Sequence, residues 1–475
     1  MNITDPIHHR ARLHPAAVAV IRADDSAVNY HDLDRMIDAA AARIDGIGLA
    51  AGQIAGLAIS GPDEFPSLVL TLALARSGIA SAEPSLPAGH LAVHLTGAGE
   101  IGREGVRGVA FDESWVRAPP RGGLKIRQPH PGGSAICRVF ASSGTSGTPK
   151  FAGISHDLIF RRVFSNLLSM GPPEPVHICA MGFGTTTGLC NVLRSFWVGC
   201  TLVLTNPAEA VAAIRRHWVN SIKIAPGSLA ALVRSMPDGE EPLPSLNSIE
   251  VGGSLLSRRL HDEVRRKLCG KIVTYFGATE TGGVASGPTA GTAEVSGAVG
   301  FVHVGVDVQA VDAEDRPLPA GAEGILRIRS GNNITGYFDD AAAAGDIFRD
   351  GWFYSGDVGS VTADGIMTVT GRVSDFINAG GVKVSPHVIE DVLLAVPTVT
   401  DAAAFGVPDD LGVIQIWAAI VATAPVPTST LRAACRHQLG GNAPKFILEV
   451  ERIPRNANGK VAREELVKFA LTRQA

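Results

Sequence analysis

Several features are scarce in this sequence of 475 residues. No apolar run reaches the ~20 residues that a helix needs to cross a bilayer, so a membrane span is not expected. An excess of positive charge is missing too: Lys plus Arg total 42 against 46 for Asp plus Glu, for a net charge of -4. Nucleic-acid-binding chains ordinarily carry a basic excess or a basic stripe, so that class is set aside. Cysteines number only six (Cys137, Cys179, Cys190, Cys200, Cys269 and Cys435), with no C-x-x-C pair and no zinc spacing beside a histidine pair. Scattered thiols suit a reducing compartment better than a disulfide framework. The opening Met1-Asn2-Ile3-Thr4-Asp5-Pro6 lacks the basic start and apolar core of a signal peptide, which leads to the expectation of a cytoplasmic protein. Charged residues are a modest 19% against 45% hydrophobic, which excludes a disordered polyelectrolyte and leaves ample material for cores.

Glycine (54) and proline (29) are plentiful, as in an enzyme with many turns and close backbone approaches to a ligand. At about 150 residues per domain, the length predicts roughly three folding units. Residues 17–21 read as a strand, 30–47 as a helix, 53–60 as a strand and 65–76 as a helix that offers Leu68, Val69, Leu72 and Leu74 for packing. Such alternation predicts an α/β fold with a largely parallel sheet. Residues 97–133, rich in Gly, Pro and Arg, read as an irregular crossing between subdomains. The alternation resumes with strand 201–204, helix 208–218, strand 221–225 and helix 229–234. Over 299–328 it gives way to short strands and turns, which predicts a small β-barrel or antiparallel sheet. After Arg372 comes an α+β pattern: helix 388–395, strands 402–405 and 415–421, and helix 428–439.

The segment Phe140-Ala141-Ser142-Ser143-Gly144-Thr145-Ser146-Gly147-Thr148-Pro149-Lys150 crowds hydroxyls and glycines and ends in a lysine. Glycines let successive backbone N–H groups converge on an anion, hydroxyls add donors, and the lysine adds charge. Thr148-Pro149 separates Gly147 from Lys150 and Phe151 follows, so this is not the usual phosphate loop of NTPases. Further along lie Val251-Gly252-Gly253-Ser254-Leu255 and Tyr275-Phe276-Gly277-Ala278-Thr279-Glu280-Thr281. Then come Trp352-Phe353-Tyr354-Ser355-Gly356-Asp357, Gly371-Arg372-Val373-Ser374-Asp375, Gly380-Gly381-Val382-Lys383 and Pro454-Arg455-Asn456-Ala457-Asn458-Gly459-Lys460. Alone, each fits an ordinary turn, hairpin or helix cap. In this order, over nearly the whole chain, they resemble the adenylate-forming superfamily of acyl- and aryl-CoA synthetases, peptide-synthetase adenylation domains and luciferase.

The resemblance implies roles for these residues. Ser142, Ser143, Gly144, Thr145, Ser146, Gly147, Thr148 and Lys150 would cradle the β- and γ-phosphates of ATP. Gly252, Gly253 and Ser254 would border the adenine and acyl pockets. Phe276 would stack on adenine beside Gly277, Thr279 would bond the α-phosphate, and Glu280 would hold Mg²⁺; an aromatic face suits a purine and a hard cation prefers carboxylate oxygen. Asp357 would accept from both ribose hydroxyls, and Arg372 would reach the ribose. Ser374 would be the pivot of a hinge over residues 372–376, between an N-terminal domain (1–371) of parallel α/β subdomains plus a small β-barrel and a small mobile C-terminal α+β domain (377–475). Gly380 and Gly381 would belong to a loop that enters the site for the second half-reaction, and Lys460 would contact the carboxylate and the α-phosphate in the first.

Three positions depart from the family pattern. Ser374 replaces the usual acidic or lysine pivot, Thr274 stands where an Asn is expected, and Thr185 falls where many acyl-CoA synthetases carry a histidine. Thr185 either widens the acyl entrance or caps the helix before Leu189. With Gly252 and Gly282 it marks the expected acyl pocket. Arg194 lies across that helix from Leu189, Val192, Leu193 and Phe196, and is expected to face solvent rather than to clamp a second carboxylate. No Asp or Glu lies between Pro175 and Asn206 to pair an α-ammonium, so an amino-acid substrate is disfavoured. His156, His177, His217, His261 and His303 show no metal spacing and read as structural or exposed. The implied activity is MgATP-dependent conversion of a small carboxylic acid to acyl-AMP, followed by transfer to CoA. A carrier-protein phosphopantetheine thiol or another acceptor is the alternative. A nucleotide binder without catalysis, suggested by Ser374 and Thr185, sits badly with the presence of Glu280, Asp357, Arg372 and Lys460.

Overall fold

The computed structural model describes residues 1–57, 64–83, 85–97, 102–117, 132–142, 150–236, 243–292, 295, 297–338, 345, 347–379, 382–409, 413–455 and 461–474. Residues 143–148, Gly380, Gly381 and Lys460 among the expected site residues lie outside them.

Two sheets form most of the chain. The first runs parallel through Gly108–Ala110, Val93–Thr96, Ile54–Leu57, Ala80–Ala82 and Ile136–Ser142, and ends on Lys150–Ser155, which is antiparallel to its neighbour. Ser142 and Lys150 face one another in this last pair, so the Ser/Gly segment connects two adjacent sheet positions. Helix Phe65–Arg76 has no polar face and is buried all round. Tyr30–Gly46, by contrast, is amphipathic, starts on an Asn29 side chain that accepts from the Asp32 N–H, and buries Leu33, Ile37, Ala40 and Ile44 at helical spacing.

The second sheet has a parallel half: Val18–Ile21, Thr201–Val203, Val176–Cys179, Ser221–Ile224, Ser248–Gly252 and Ile272–Ala278. From Ile272–Ala278 onward it continues antiparallel through Gly282–Pro288, Ala298–Val302, Ile366–Arg372, Trp352–Val361, Gly324–Ser330 and Val306–Val311. The short strands expected over 299–328 therefore join the parallel sheet through shared hydrogen bonds, around their own core of Val284, Ile328, Phe353 and Met367. Strand Ile272–Ala278 is the junction between the two halves. Three helices not anticipated from the sequence pattern, Asp5–Leu13, His156–Met170 and Arg258–Lys267, pack around these sheets.

After strand Ile366–Arg372 the chain makes the hairpin Ile377–Ala379 and Val382–Val384. A three-stranded sheet of Val399–Pro408, Ile414–Ala422 and Phe446–Glu449 follows, with helices Pro386–Leu394, Thr428–Leu439 and Arg463–Gln474. No helix among the described residues is long and apolar enough to cross a membrane.

Candidate active site

Side chains on a strand alternate between faces, and the parallel half of the large sheet uses this in an unusual way. One face carries Ile178, Ile222, Ile224, Ile249 and Val251, which form an apolar core with the helices beneath. The residues between them point the other way: His177, Ser221, Lys223, Glu250, Gly252 and, on the junction strand, Tyr275 and Gly277. Helices His156–Met170 and Thr186–Val198 cover this polar face, so it is buried rather than wet. Between face and helices lies a narrow polar pocket, lined among others by Arg162, Thr187, Asn191, Arg194, Lys223 and Tyr275.

Buried polar groups survive only when paired. Glu250 receives Arg194 at 2.6 Å on Oε1 and Lys223 at 2.8 Å on Oε2. Burial alone would raise the Glu250 carboxyl, but Arg194 and Lys223 hold it well below the usual carboxylate range. Desolvation lowers Lys223 and Glu250 opposes that; its ammonium also sits 3.7 Å from the centre of the Tyr275 ring. His177 donates or accepts to Ser221 (2.8 Å) and Asn191 (2.6 Å), and burial pushes it down to about 4, so it is neutral at pH 7. His303 is likewise buried, down to about 4, and 2.8 Å from Ser286. Both histidines are structural, as expected. Among the described residues no cluster of His, Cys, Asp and Glu could hold a metal by itself.

Glycine is required at the edge of the cavity. A Cβ on Gly252 would fall 2.3 Å from the Tyr275 ring, and one on Gly277 would fall 2.3 Å from the Gly282 carbonyl oxygen. These contacts let the junction strand turn back on itself over Thr279 and Glu280. Phe276, one residue out of step with Tyr275, leans instead on the antiparallel core and stays half-buried on the opposite side. Gly253 takes a φ of 94°, open to glycine at little cost, and Ser254 follows it, exposed, at the end of strand Ser248–Gly252.

Glu280 is buried in that turn, and its Oε1 accepts from the Tyr337 hydroxyl at 2.8 Å; among the described residues nothing donates to its other oxygen. Lys150 lies over the Tyr337 ring, 5.0 Å from its centre. Tyr337 thus links the end of the Ser/Gly segment to the turn carboxylate. Asp357 and Arg372 face each other across adjacent strands, and the Arg372 Nε donates to Asp357 Oδ1 at 2.7 Å. Burial pulls the Arg372 guanidinium down, but Asp357, Asp375 and Glu280 together keep it above its ordinary value. Arg372 therefore stands within the fields of both carboxylates, and Asp357 and Glu280 belong to one neighbourhood. Asp357 is 3% exposed, yet its Oδ2 has no partner among the described residues. An ionised oxygen left unpaired in a buried place suits a ligand hydroxyl.

Two expectations need correction. Arg194 does not face solvent: it is 1% exposed, because helix Thr186–Val198 is covered on the sheet side as well as on the Leu189 and Phe196 side. Thr185 is exposed and is the cap, accepting from the Gly188 N–H at 3.0 Å, while Thr186 and Thr187 line the cavity in its place. Thr185→Ala should accordingly cost about 1 kcal/mol of stability by thermal unfolding and leave the preference among acids unchanged in a turnover screen. Gly282, at a φ of 70°, lines the cavity as expected. Ser374 is exposed and bonds Asp375 at 3.0 Å.

Sequence reasoning missed Arg162, Lys223, Glu250 and Tyr337. Arg162 is fully buried and donates to the carbonyls of Thr279 (3.0 Å), Glu280 (3.1 Å) and Asn332 (2.9 Å), so it shapes the turn that carries Thr279 and Glu280. Burial lowers it to about 10, which leaves it charged at pH 7. Its signal was available: Arg162 lies four residues from Leu158 on a helix whose buried residues, His156 at its start apart, are otherwise apolar.

A buried Asp357 oxygen without a partner among the described residues, a carboxylate and a lysine joined through Tyr337, and a buried polar pocket thus occur together in this chain. Family comparison supplies the rest. The AMP-binding enzyme family matches residues 103–338, and the AMP-binding enzyme C-terminal domain matches residues 388–460. The chain belongs to this family, the adenylate-forming superfamily of AMP-forming ligases. It is 27% identical to a 4-chlorobenzoate–CoA ligase of an Arthrobacter species, over 97% of this chain and 93% of that protein. It is 29% identical to a salicyl-AMP ligase / salicyl-S-ArCP synthetase of Mycobacterium tuberculosis, over 96% of this chain and 89% of the relative. Its fold matches that of o-succinylbenzoate CoA synthetase from Bacillus subtilis, solved with an acyl-adenylate, at a TM-score of 0.84, 23% identity and 97% coverage of both chains.

Proposed function

We propose that the protein activates a carboxylic acid with ATP, releasing pyrophosphate and forming acyl-AMP, and then passes the acyl group to the thiol of CoA. The observation that carries this reading is Arg372, bonded to Asp357 while in the field of Glu280, at the turn that closes the Arg162 cavity. A ribose on Asp357, phosphates near Lys150 and an acid in the cavity would meet at Thr279.

The incoming carboxylate is ionised at neutral pH and needs no general base. The chain has to align it with the α-phosphorus and gather positive charge there. In this reading Thr279 orients the α-phosphate, Lys150 and residues 142–148 hold the β- and γ-phosphates, and Lys460 neutralises charge on the carboxylate and α-phosphate. Phe276 backs the adenine, with Gly252, Gly253, Ser254 and Gly277 around it. Glu280, with one oxygen held by Tyr337, fits Mg²⁺, which when bound offsets the charge of the departing pyrophosphate. Residues 377–475 then turn about Ser374, so that Lys460 leaves and the segment with Gly380 and Gly381 frames a path for the thiol.

ATP–pyrophosphate exchange across a panel of acids tests the first half. Exchange with at least one acid is expected; exchange with none would leave a nucleotide binder. Incubation of the active acid with CoA or with a phosphopantetheinylated carrier protein then identifies the acceptor. The salicyl-S-ArCP relative keeps the carrier protein as the second reading.

A further inference from the structure

The cavity presents Arg162, Arg194 and Lys223 and, among the described residues, no carboxylate. The carboxylate that bonds two of them, Glu250, is not part of its wall and supplies one negative charge against their two. Arg162 spends its donors on backbone carbonyls and, among the described residues, bonds no carboxylate, although the charge of Glu280 acts on it. Two further donors in this wall are buried without a partner among the described residues: Nε of Arg194, 1% exposed, and Nδ2 of Asn191, 2% exposed. Buried N–H groups left open cost stability, and a surplus of buried positive charge costs more, unless a ligand supplies acceptors and negative charge.

The register sets where that ligand group would lie. Gly277, beside the Thr279–Glu280 turn, and Tyr275, under the Lys223 ammonium, are two residues apart on one face of the strand, or roughly 7 Å. Resting on the adenylating function above, we propose that the acid carries a second carboxylate at its far end, held by Arg194 and Lys223 while the first reacts at Thr279. A diacid with carboxyl groups about 5–8 Å apart spans that interval; a longer fatty chain would press its apolar end against charge.

The test measures pyrophosphate release with matched pairs: glutarate, adipate and terephthalate against their monomethyl esters, which keep the shape and remove the distal charge. For at least one pair the diacid should exceed its ester about a hundredfold in kcat/KM, and Arg194→Met should erase most of that preference while raising turnover of the ester. Should Arg194→Met fail to fold, Lys223→Met in a Glu250→Gln background, which removes one charge of each sign, gives the same comparison. Esters turned over as well as their diacids would overturn the second-carboxylate proposal and leave adenylation standing. A preference that survives both variants would overturn the assignment to Arg194 and Lys223. Release with no acid of either kind, or of a broad monoacid panel, would overturn the adenylating function and this proposal with it.

Discussion

A Lys460→Ala protein should form acyl-AMP about a thousandfold more slowly than the native chain, yet convert supplied acyl-AMP and CoA to thioester at close to the native rate. The asymmetry follows from when charge develops. During adenylation a carboxylate approaches an already anionic phosphate, and a mobile ammonium offsets that repulsion only while the new bond forms. During thioester formation the acyl carbon is attacked and AMP leaves, a step for which the same lysine is not required if it travels with the C-terminal unit. Arg455 and Val461, which flank the segment that carries Lys460 in the sequence, pair with one another. Radiolabelled pyrophosphate exchange reads the first step, and thiol consumption from synthetic acyl-AMP reads the second. Equal loss of both would contradict a division of labour between two positions of the unit.

Asp357→Asn should weaken ATP by about 3 kcal/mol, about a hundredfold in apparent affinity. The native carboxylate shares one oxygen with Arg372 and leaves Oδ2 unpaired inside the protein. An amide in its place offers one neutral acceptor instead of an ionised pair, and turns a donor toward where a hydroxyl would donate. The loss should be specific: the native protein should prefer ATP strongly over 2′,3′-dideoxy-ATP, and the variant should treat the two nearly alike. Arg372 keeps a partner of the same shape, so the fold survives the change. A variant with undiminished ATP affinity, or with native discrimination between the two nucleotides, would remove the ribose from Asp357.

Much of this site is legible in the amino-acid sequence, for a physical reason. The groups that would touch phosphate, ribose and cation in the proposed function lie on turns and strand ends, where glycine, hydroxyl and carboxylate follow one another closely in the chain. Thr279-Glu280 after Gly277, and Asp357 after Gly356 at a φ of 73°, are such local arrangements. Helix Phe65–Arg76 and strand Ser221–Ile224 are likewise readable from apolar content and alternation. The acid cavity is not. Its charged and aromatic residues come from strands Ser221–Ile224 and Ile272–Ala278 and from two helices, far apart in sequence.

Arg194 marks the boundary between the two kinds of information. A helical wheel places it opposite Leu189 and Phe196, which ordinarily means water. Whether that opposite side meets water or a second buried surface depends on what lies over it, and here the polar face of the sheet does, with Glu250 in reach. The sequence alone therefore determined the α/β architecture, through local alternation of apolar residues, and the family, through its resemblance to known motifs. Only the tertiary structure decided the charge inside the acid cavity, because Arg162, Arg194, Lys223 and Glu250 become neighbours solely through the stacking of helices on a sheet, and a buried charge takes its meaning from the groups packed around it.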